Sequence, residues 1–304
     1  MSLIEPNQSL FKSVKDKVVV ITGGARGIGR SAALAFHGHG AKVVVGDVNA
    51  EEGESLVSLL GENLRFVQCD VSKYRDQLAL FQEAERSFGH VDIAIANAAV
   101  GKLPDPITVI EDINEEPPLP EVDINLRGVL FTSRIAIHYL RQHGGGDLLL
   151  ISSIGGFKET AGLTPYLATK HGVIGVMRGL RMTSLNDNVR VNVICPWTTR
   201  TILTKAIAAA WEELGLPMNE PEDVATSLLI CATAGQGDGA SHNGAVIPFH
   251  GKILHVAGGK SYEIEDTLQS LEPQWLGEHN SQVIAMGQDF LHNGKTSWQE
   301  SANS

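Results

Sequence analysis

Three things are scarce or missing in this 304-residue chain. Cysteine is one: Cys69, Cys195 and Cys231 are far apart and odd in number, which reads against disulfides and against metal ligation. Cys69 and Cys195 fall in apolar, strand-like runs and read as buried, reduced thiols, which suits a reducing compartment. Positive charge is also short. Lys and Arg number 24 against 35 Asp and Glu, for a net charge of −11 and a pI of about 5.4. That balance argues against nonspecific binding to nucleic acid or anionic membranes. Finally, no apolar run approaches transmembrane length. The N-terminal stretch holds neither a basic region followed by an apolar one nor an Arg-rich amphipathic helix. A cytoplasmic location is the default expectation.

What is present is ordinary for a globular protein: 43% apolar and 19% charged residues, enough for a sizeable core in one large domain. Residues 1–16 are polar and read as an irregular surface lead-in. The stretch from Lys17 to Gly40 is the most informative. Val18 to Ile21 has the length and β-branched content of a buried strand. Thr22–Gly23–Gly24–Ala25–Arg26–Gly27–Ile28–Gly29 follows, then an Ala- and Leu-rich helix. Strand, glycine turn and helix form the first half of a mononucleotide-binding unit. The glycines permit the tight turn, the approach of a pyrophosphate and close helix packing. The helix N-terminus offers unpaired N–H groups to the phosphates.

Lys42 to Val45 reads as a second strand and ends near Asp47, where a carboxylate meets an adenosine ribose. Asp47 would repel a 2′-phosphate, which favours NAD over NADP. Arg26 pulls the other way, because a guanidinium in the phosphate loop suits a 2′-phosphate. Leu64 to Val67 is a third strand, closing on Cys69–Asp70–Val71. Asp70 has two readings: a partner for the adenine amine, or a cap for the helix over 72–88. Val91 to Ala96 is a fourth strand and runs into Asn97. Residues 101–120 are irregular, with one short helix expected around Val109 to Asn114. A continuous helix is expected from Glu121 to His143, a strand over Leu148–Ile151 ending at Ser152–Ser153, and a sixth strand over Arg190–Ile194. Strands alternate with helices and hairpin signals are lacking. The pattern predicts an α/β fold, a doubly wound, parallel, seven-stranded sheet in a single Rossmann-type domain. Asp47, Asp70, Asn97 and Ser153 all fall at carboxyl ends of strands, where such sheets bind ligands.

Thr164–Pro165 reads as a helix start, which puts Tyr166 and Lys170 one turn apart on one face. A free phenol has a pKa of about 10. A nearby ammonium and a first-turn position both favour its ionised form, so the pair makes an acid/base centre.

With these residues in place the chain resembles the short-chain dehydrogenase/reductase family over roughly residues 15–260. Thr22–Gly23–x–x–x–Gly27–Ile28–Gly29 matches the family's cofactor motif and Tyr166–x–x–x–Lys170 its catalytic motif. Ser153 precedes Tyr166 by the family's interval. Asn125 lies in a matching Asp–Ile–Asn–Leu segment, and Pro196 and Thr201 fit the segment after the sixth strand. The last core strand fits Ile253–Gly259. The resemblance implies that Tyr166 exchanges a proton with the substrate oxygen and that Lys170 lowers the Tyr166 pKa. It implies that Ser153 orients that oxygen, and that Asn125 holds a water in a proton relay. It implies cofactor contacts at Gly23, Arg26, Gly27, Ile28, Gly29, Asp47, Asp70, Val71, Asn97, Tyr166, Lys170, Pro196 and Thr201, no metal, and a homodimer or homotetramer.

Two departures stand out. The family's Asn–Asn–Ala–Gly is here Ala96–Asn97–Ala98–Ala99, and its Pro–Gly is Pro196–Trp197. Trp197 either narrows the substrate pocket or stacks on a flat substrate, or else packs in the core. The covering segment 198–220 is strongly apolar, with Ile202 a further substrate contact, so a small apolar substrate is expected. The extension 261–304 has Leu268, Leu271, Trp275 and Leu276 as anchors and lies over the site, over a partner subunit or on the surface. The family branches most similar are fungal secondary-metabolite dehydrogenases and 15-hydroxyprostaglandin-dehydrogenase-like enzymes. The expected function is NAD-dependent interconversion of a secondary alcohol and a ketone on a bulky apolar skeleton in secondary metabolism. An NADPH-dependent ketone or imine reductase and a non-catalytic cofactor-binding scaffold are the alternatives.

Overall fold

The computed structural model describes residues 1–101, 104–110, 112–235 and 240–292. Residues 102, 103 and 111 of the irregular segment and the polar end 293–304 lie outside that set. Seven parallel strands form the centre. They are β2 (Val18–Thr22), β3 (Lys42–Asp47), β4 (Leu64–Gln68), β5 (Ile93–Ala96), β6 (Gly146–Ile151), β7 (Val189–Pro196) and β8 (Ile253–Ala257). The expected count of seven falls short, because the sheet has nine strands among the described residues. β9 (Lys260–Glu263) returns antiparallel to β8, and β1 (Ser2–Ile4) adds antiparallel to β9. The order is β1-β9-β8-β7-β6-β5-β2-β3-β4.

Both extra strands have local causes. Gly258 and Gly259 have φ of 56° and 74°, so the two-residue link between β8 and β9 needs left-handed backbone at both positions. That is the demand of a tight hairpin turn, and two glycines meet it without a side-chain clash. The lead-in is not irregular surface. Ile4 of β1 is buried, and a 3₁₀ turn over Gln8–Val14 buries Leu10, Phe11 and Val14 against the sheet's flank. Phe11→Ala is therefore expected to cost about 3 kcal/mol, the low end for emptying a buried aromatic site. A chemical melt showing less than about 1 kcal/mol lost would return the lead-in to the surface.

Helices cover both faces. Val19 and Ile21 of β2 point to one core, shared with α1 (Gly27–Gly38), α2 (Ala50–Leu60) and α7 (Pro221–Thr233). Val18 and Val20 point to the other, shared with α3 (Tyr74–Phe88), α4 (Gly128–Gln142) and α5 (Thr164–Leu180). This alternation follows from the period of two along a strand buried on both sides. The long helix expected over 121–143 is divided: Val122–Arg127 is a π-helical turn that feeds α4. Such turns occur frequently at functional sites, and this one carries Asn125. No helix is present around 109–114 among the described residues, only turns.

Beyond α6 (Lys205–Glu213), the chain closes with α8 (Glu265–Ser270), α9 (Glu272–Leu276) and α10 (Glu278–His292). The expected anchors are only partly sheltered: Trp275 is 69% exposed and Leu268 and Leu271 stand at the surface. Glu265 fixes this extension instead, buried against Arg178 and Arg181 of the α5 end at 2.8 and 3.0 Å. No helix of the described residues is long and apolar enough to cross a membrane.

Candidate active site

β2 pairs with β3 on one side and β5 on the other, so the strand order reverses there and leaves a crevice at the carboxyl ends. Gly23 has φ of 64°, and a Cβ on it would stand 2.7 Å from Ala98 Cα. A Cβ on Gly29 would collide with the Gly23 carbonyl and the Asn97 amide. Both positions are thus closed to other residues. Ile28 packs against the core below the turn. Among the described residues no side chain caps the start of α1, which leaves its first N–H groups without a side-chain acceptor. Open helix donors over a glycine cradle fit a dinucleotide pyrophosphate. Thr201 stands directly over the turn, its methyl 3.3 Å from where a Gly27 Cβ would lie.

The neighbouring polar residues brace this cradle. Asn97 donates from Nδ2 to the Thr22 and Gly23 carbonyls at 3.1 and 2.8 Å. The Thr22 hydroxyl accepts from the Asn97 backbone N–H at 3.1 Å. Asp47 accepts from the backbone N–H groups of Ala25 and Asn49, both at 3.0 Å. Arg26 lies 3.3 Å from the Glu52 carboxylate at the start of α2. Asp70 accepts from the Ser72 backbone and hydroxyl at 3.0 and 2.7 Å, and the Ser72 bond leads in holding its carboxyl below the usual range. Asp70 thus sits in the turn that leads into α3, whose own N-cap position is Lys73. The Val71 carbonyl is taken by buried Gln77 at 2.7 Å.

At the ends of β6 and β7 the structure brings Ser153, Tyr166 and Lys170 together. Ser153 continues β6 in extended conformation, and its Oγ accepts from the Gly155 N–H at 3.1 Å. Lys170 is 2% exposed, and its Nζ donates to the Ile151 carbonyl at 3.1 Å and lies 5.5 Å from the Tyr166 ring centroid. Ser152, its hydroxyl on the Lys170 carbonyl at 2.7 Å, ties the helix to the strand end. Burial lowers the Lys170 pKa from 10.5 to about 8. The Tyr166 phenol behaves contrary to expectation: burial pushes it above its ordinary value, and a hydrogen bond with Ser153 only partly opposes that. Desolvation leads because it penalises the phenolate, and Ser153 rather than Lys170 is the neighbour that opposes it.

Asn125 is fully buried and its amide is occupied at both ends. Oδ1 accepts from the Val100 N–H and Nδ2 donates to the Val100 carbonyl, each at 2.8 Å. The side chain clamps the loop after β5 beside Tyr166. Nδ2 also reaches Thr169 Oγ1 at 3.4 Å.

Pro196 ends β7 and is buried, and Trp197 follows it. The segment that begins there closes on itself: Asn219 Nδ2 donates to the Val256 carbonyl at 2.8 Å, and Arg200 pairs with Glu212 and Glu220 at 2.5 and 2.9 Å. A Cβ built on Gly101 would lie 3.4 Å from Leu203 Cδ1 and 3.6 Å from Tyr166 Cδ2. Leu203 and Tyr166 thus both border Gly101, while Ile202 is 72% exposed. Glu52, Ser152, Leu203, Trp211 and Asn219 carried no motif. Only the apolar character of 198–220 pointed toward two of them.

The chain is similar to known proteins. The family model described as short chain dehydrogenase matches residues 17–212. A short-chain dehydrogenase/reductase, ascJ of Acremonium egyptiacum, is 35% identical over 268 residues, covering 85% of this chain and 84% of the relative. The 5'-hydroxyaverantin dehydrogenase of Dothistroma septosporum is 28% identical over 287 residues, covering 87% and 91%. The crystal structure of gox2181 shares the fold at a TM-score of 0.66 and 23% identity, covering 74% of this chain and 92% of that one. The chain belongs to the short-chain dehydrogenase/reductase family, as an alcohol-type oxidoreductase served by a nicotinamide dinucleotide.

Proposed function

We propose that this chain is an NAD-dependent dehydrogenase that interconverts a secondary alcohol and a ketone on a bulky apolar skeleton in secondary metabolism. The observation that carries it is the Ser153–Tyr166–Lys170 cluster at the carboxyl ends of β6 and β7, beside the glycine cradle. A nicotinamide dinucleotide held by its pyrophosphate in that cradle would supply the hydride acceptor or donor. Tyr166 takes the proton from the alcohol oxygen, or gives it to the ketone oxygen. Ser153 donates to that oxygen and fixes its distance from the phenol. Lys170, held by Ile151, places a positive charge beneath the phenol ring and favours its ionised form during transfer. Asn125 keeps the Val100 loop in place, which leaves little of its side chain for the expected water. Gly23, Gly27, Gly29 and the open start of α1 hold the pyrophosphate. Asn97, Val71, Pro196 and Thr201 shape the rest of the cofactor groove. A homodimer or homotetramer follows by analogy with the family, and the cytoplasm is the default location.

NAD is preferred on the strength of two acids. Asp47 stands at the end of β3, and Glu52 engages Arg26, the one cation of the turn. A 2′-phosphate would face both carboxylates. Asp47→Asn keeps an acceptor for the Ala25 N–H while removing the charge. It is expected to cut the NAD-over-NADP ratio of kcat/KM about tenfold to a hundredfold, the range of a lost charged hydrogen bond. Glu52→Gln, which frees Arg26, should move the ratio the same way. An unchanged ratio in both variants would favour the NADPH-dependent reductase reading. The direct assay is a panel of secondary alcohols and ketones followed by absorbance of the reduced nicotinamide with each cofactor. No turnover with either, despite tight cofactor binding, would point to the scaffold.

A further inference from the structure

Two indole N–H groups, one just before the covering segment and one within it, are buried without a hydrogen-bond partner among the described residues: Trp197 Nε1 and Trp211 Nε1. Native proteins seldom leave such donors unpaired, because a buried N–H that has given up water is costly. That two should occur in contact is harder to dismiss. Their rings are 6.2 Å apart between centroids and tilted by 45°. Trp197 is anchored by its backbone, whose N–H donates to the Val256 carbonyl at 2.8 Å, so it stands one residue past the end of β7. Ser152, next to Ser153, bonds the adjacent Ile194 of β7, so Trp197 leaves the sheet beside the strand ends that hold the phenol, and Trp211 packs on it.

The element that supplies Trp211 is built to part from the body. No residue of Ile202–Thr204 or of α6 is classed as buried, and Ile202, Leu203, Ile207 and Leu214 are exposed. Elements with so little buried surface open at low free energy. Its two ends stay fastened through Asn219 and the Arg200 pairs. The segment thus has a fixed neck, a loosely held apolar body, and two donors lacking acceptors.

We infer that Trp197 and Trp211 form a paired donor site for acceptor oxygens on a flat aromatic substrate, so that the alcohol or ketone this chain turns over carries further oxygens on its ring system. The inference rests on the dehydrogenase reading of the site and narrows its substrate class. Indole faces supply area to an aromatic skeleton, and each Nε1–H supplies one directional contact. A purely aliphatic skeleton would leave both donors unpaired in the closed state. A site built around a hydrogen bond rejects the analogue that lacks it more strongly than a merely apolar pocket does.

The test measures binding, not turnover. Tyr166→Phe protein saturated with NADH is titrated calorimetrically with 1-tetralones bearing a methoxy group at each aromatic carbon in turn, each paired with its ethyl isostere. The members of a pair differ by one acceptor oxygen. At least one pair is expected to favour methoxy by about threefold to tenfold, the worth of one hydrogen bond. That preference should vanish on adding Trp197→Phe or Trp211→Phe, which keep an aromatic ring and remove the donor. The ethyl members should bind all variants within about twofold. Melting temperature and NADH affinity, unchanged in each variant, show that the fold and cofactor site are intact. If no pair discriminates, or if the preference survives both substitutions, the donor site is wrong. Discrimination together with absent turnover in the wild-type chain would sink the dehydrogenase reading and leave the donor site standing.

Discussion

Replacing Tyr166 with Phe is expected to lower kcat by about a thousandfold or more while leaving NADH affinity within about threefold. The substitution deletes one oxygen. The ring stays beside Lys170, so packing changes little. What disappears is the group that exchanges the substrate proton, a step worth about a hundredfold to ten-thousandfold when a placed side chain performs it. The upper part of that range applies because Ser153, the other hydroxyl of the cluster, accepts from the Gly155 N–H and is held for orientation. Burial keeps the phenol protonated at neutral pH in the unliganded chain. Alcohol oxidation, which needs the phenolate, should therefore speed up as pH rises through this range, while ketone reduction, which needs the phenol, should hold steady until pH passes 10. A stopped-flow measurement of hydride transfer in both directions across pH 6 to 10 checks this. Rates in Tyr166→Phe within about tenfold of wild type would remove Tyr166 from the proton path.

How far the sequence reveals this protein depends on the range over which each feature is decided. The seven parallel strands are short apolar runs buried on both faces, and each announces itself locally. β1 and β9 do not. β1 is three residues long, and β9, Lys260–Ser261–Tyr262–Glu263, alternates like a surface segment. Gly258–Gly259 was the available signal, a two-residue hairpin link that also passes for the end of a last strand. The cluster residues were legible because a helix fixes the spacing of Tyr166 and Lys170, and the strand end fixes Ser153. Their electrostatics were not. Whether a phenol is raised or lowered depends on what surrounds it in three dimensions, and the surroundings here come from separate segments. The same holds for Asn125, whose partner Val100 lies across a loop, and for Arg26, whose partner Glu52 starts another helix. The π-helical turn that carries Asn125 left no trace in composition.

Lys170→Met should abolish turnover and yet leave the unliganded chain more stable at neutral pH. Lys170 is nearly inaccessible, and burial is the leading cause that lowers its pKa from 10.5 to about 8. The unfolded chain then binds more protons than the folded one between those values, so this residue makes stability rise with pH across that window. The contribution is fully present above 10.5 and is lost as pH falls through about 8, so at pH 7 the fold bears the whole cost of a buried ammonium. At about 1.4 kcal/mol per pH unit, that cost is about 3 kcal/mol. Met fills similar volume without charge. It forfeits the bond to the Ile151 carbonyl, worth about 1 kcal/mol, for a net gain of about 2 kcal/mol at pH 7. Tyr166, Cys69 and Cys195 have pKa values raised by burial and pull stability down at alkaline pH. The informative quantity is therefore the difference between wild type and variant. Urea melts at pH 7 and pH 10 should show the advantage of Lys170→Met shrinking as pH rises. A variant less stable than wild type at pH 7, or an advantage that does not change with pH, would mean that the ammonium is already neutralised in the fold. Stability would then not be what this site gives up to hold a cation beneath Tyr166.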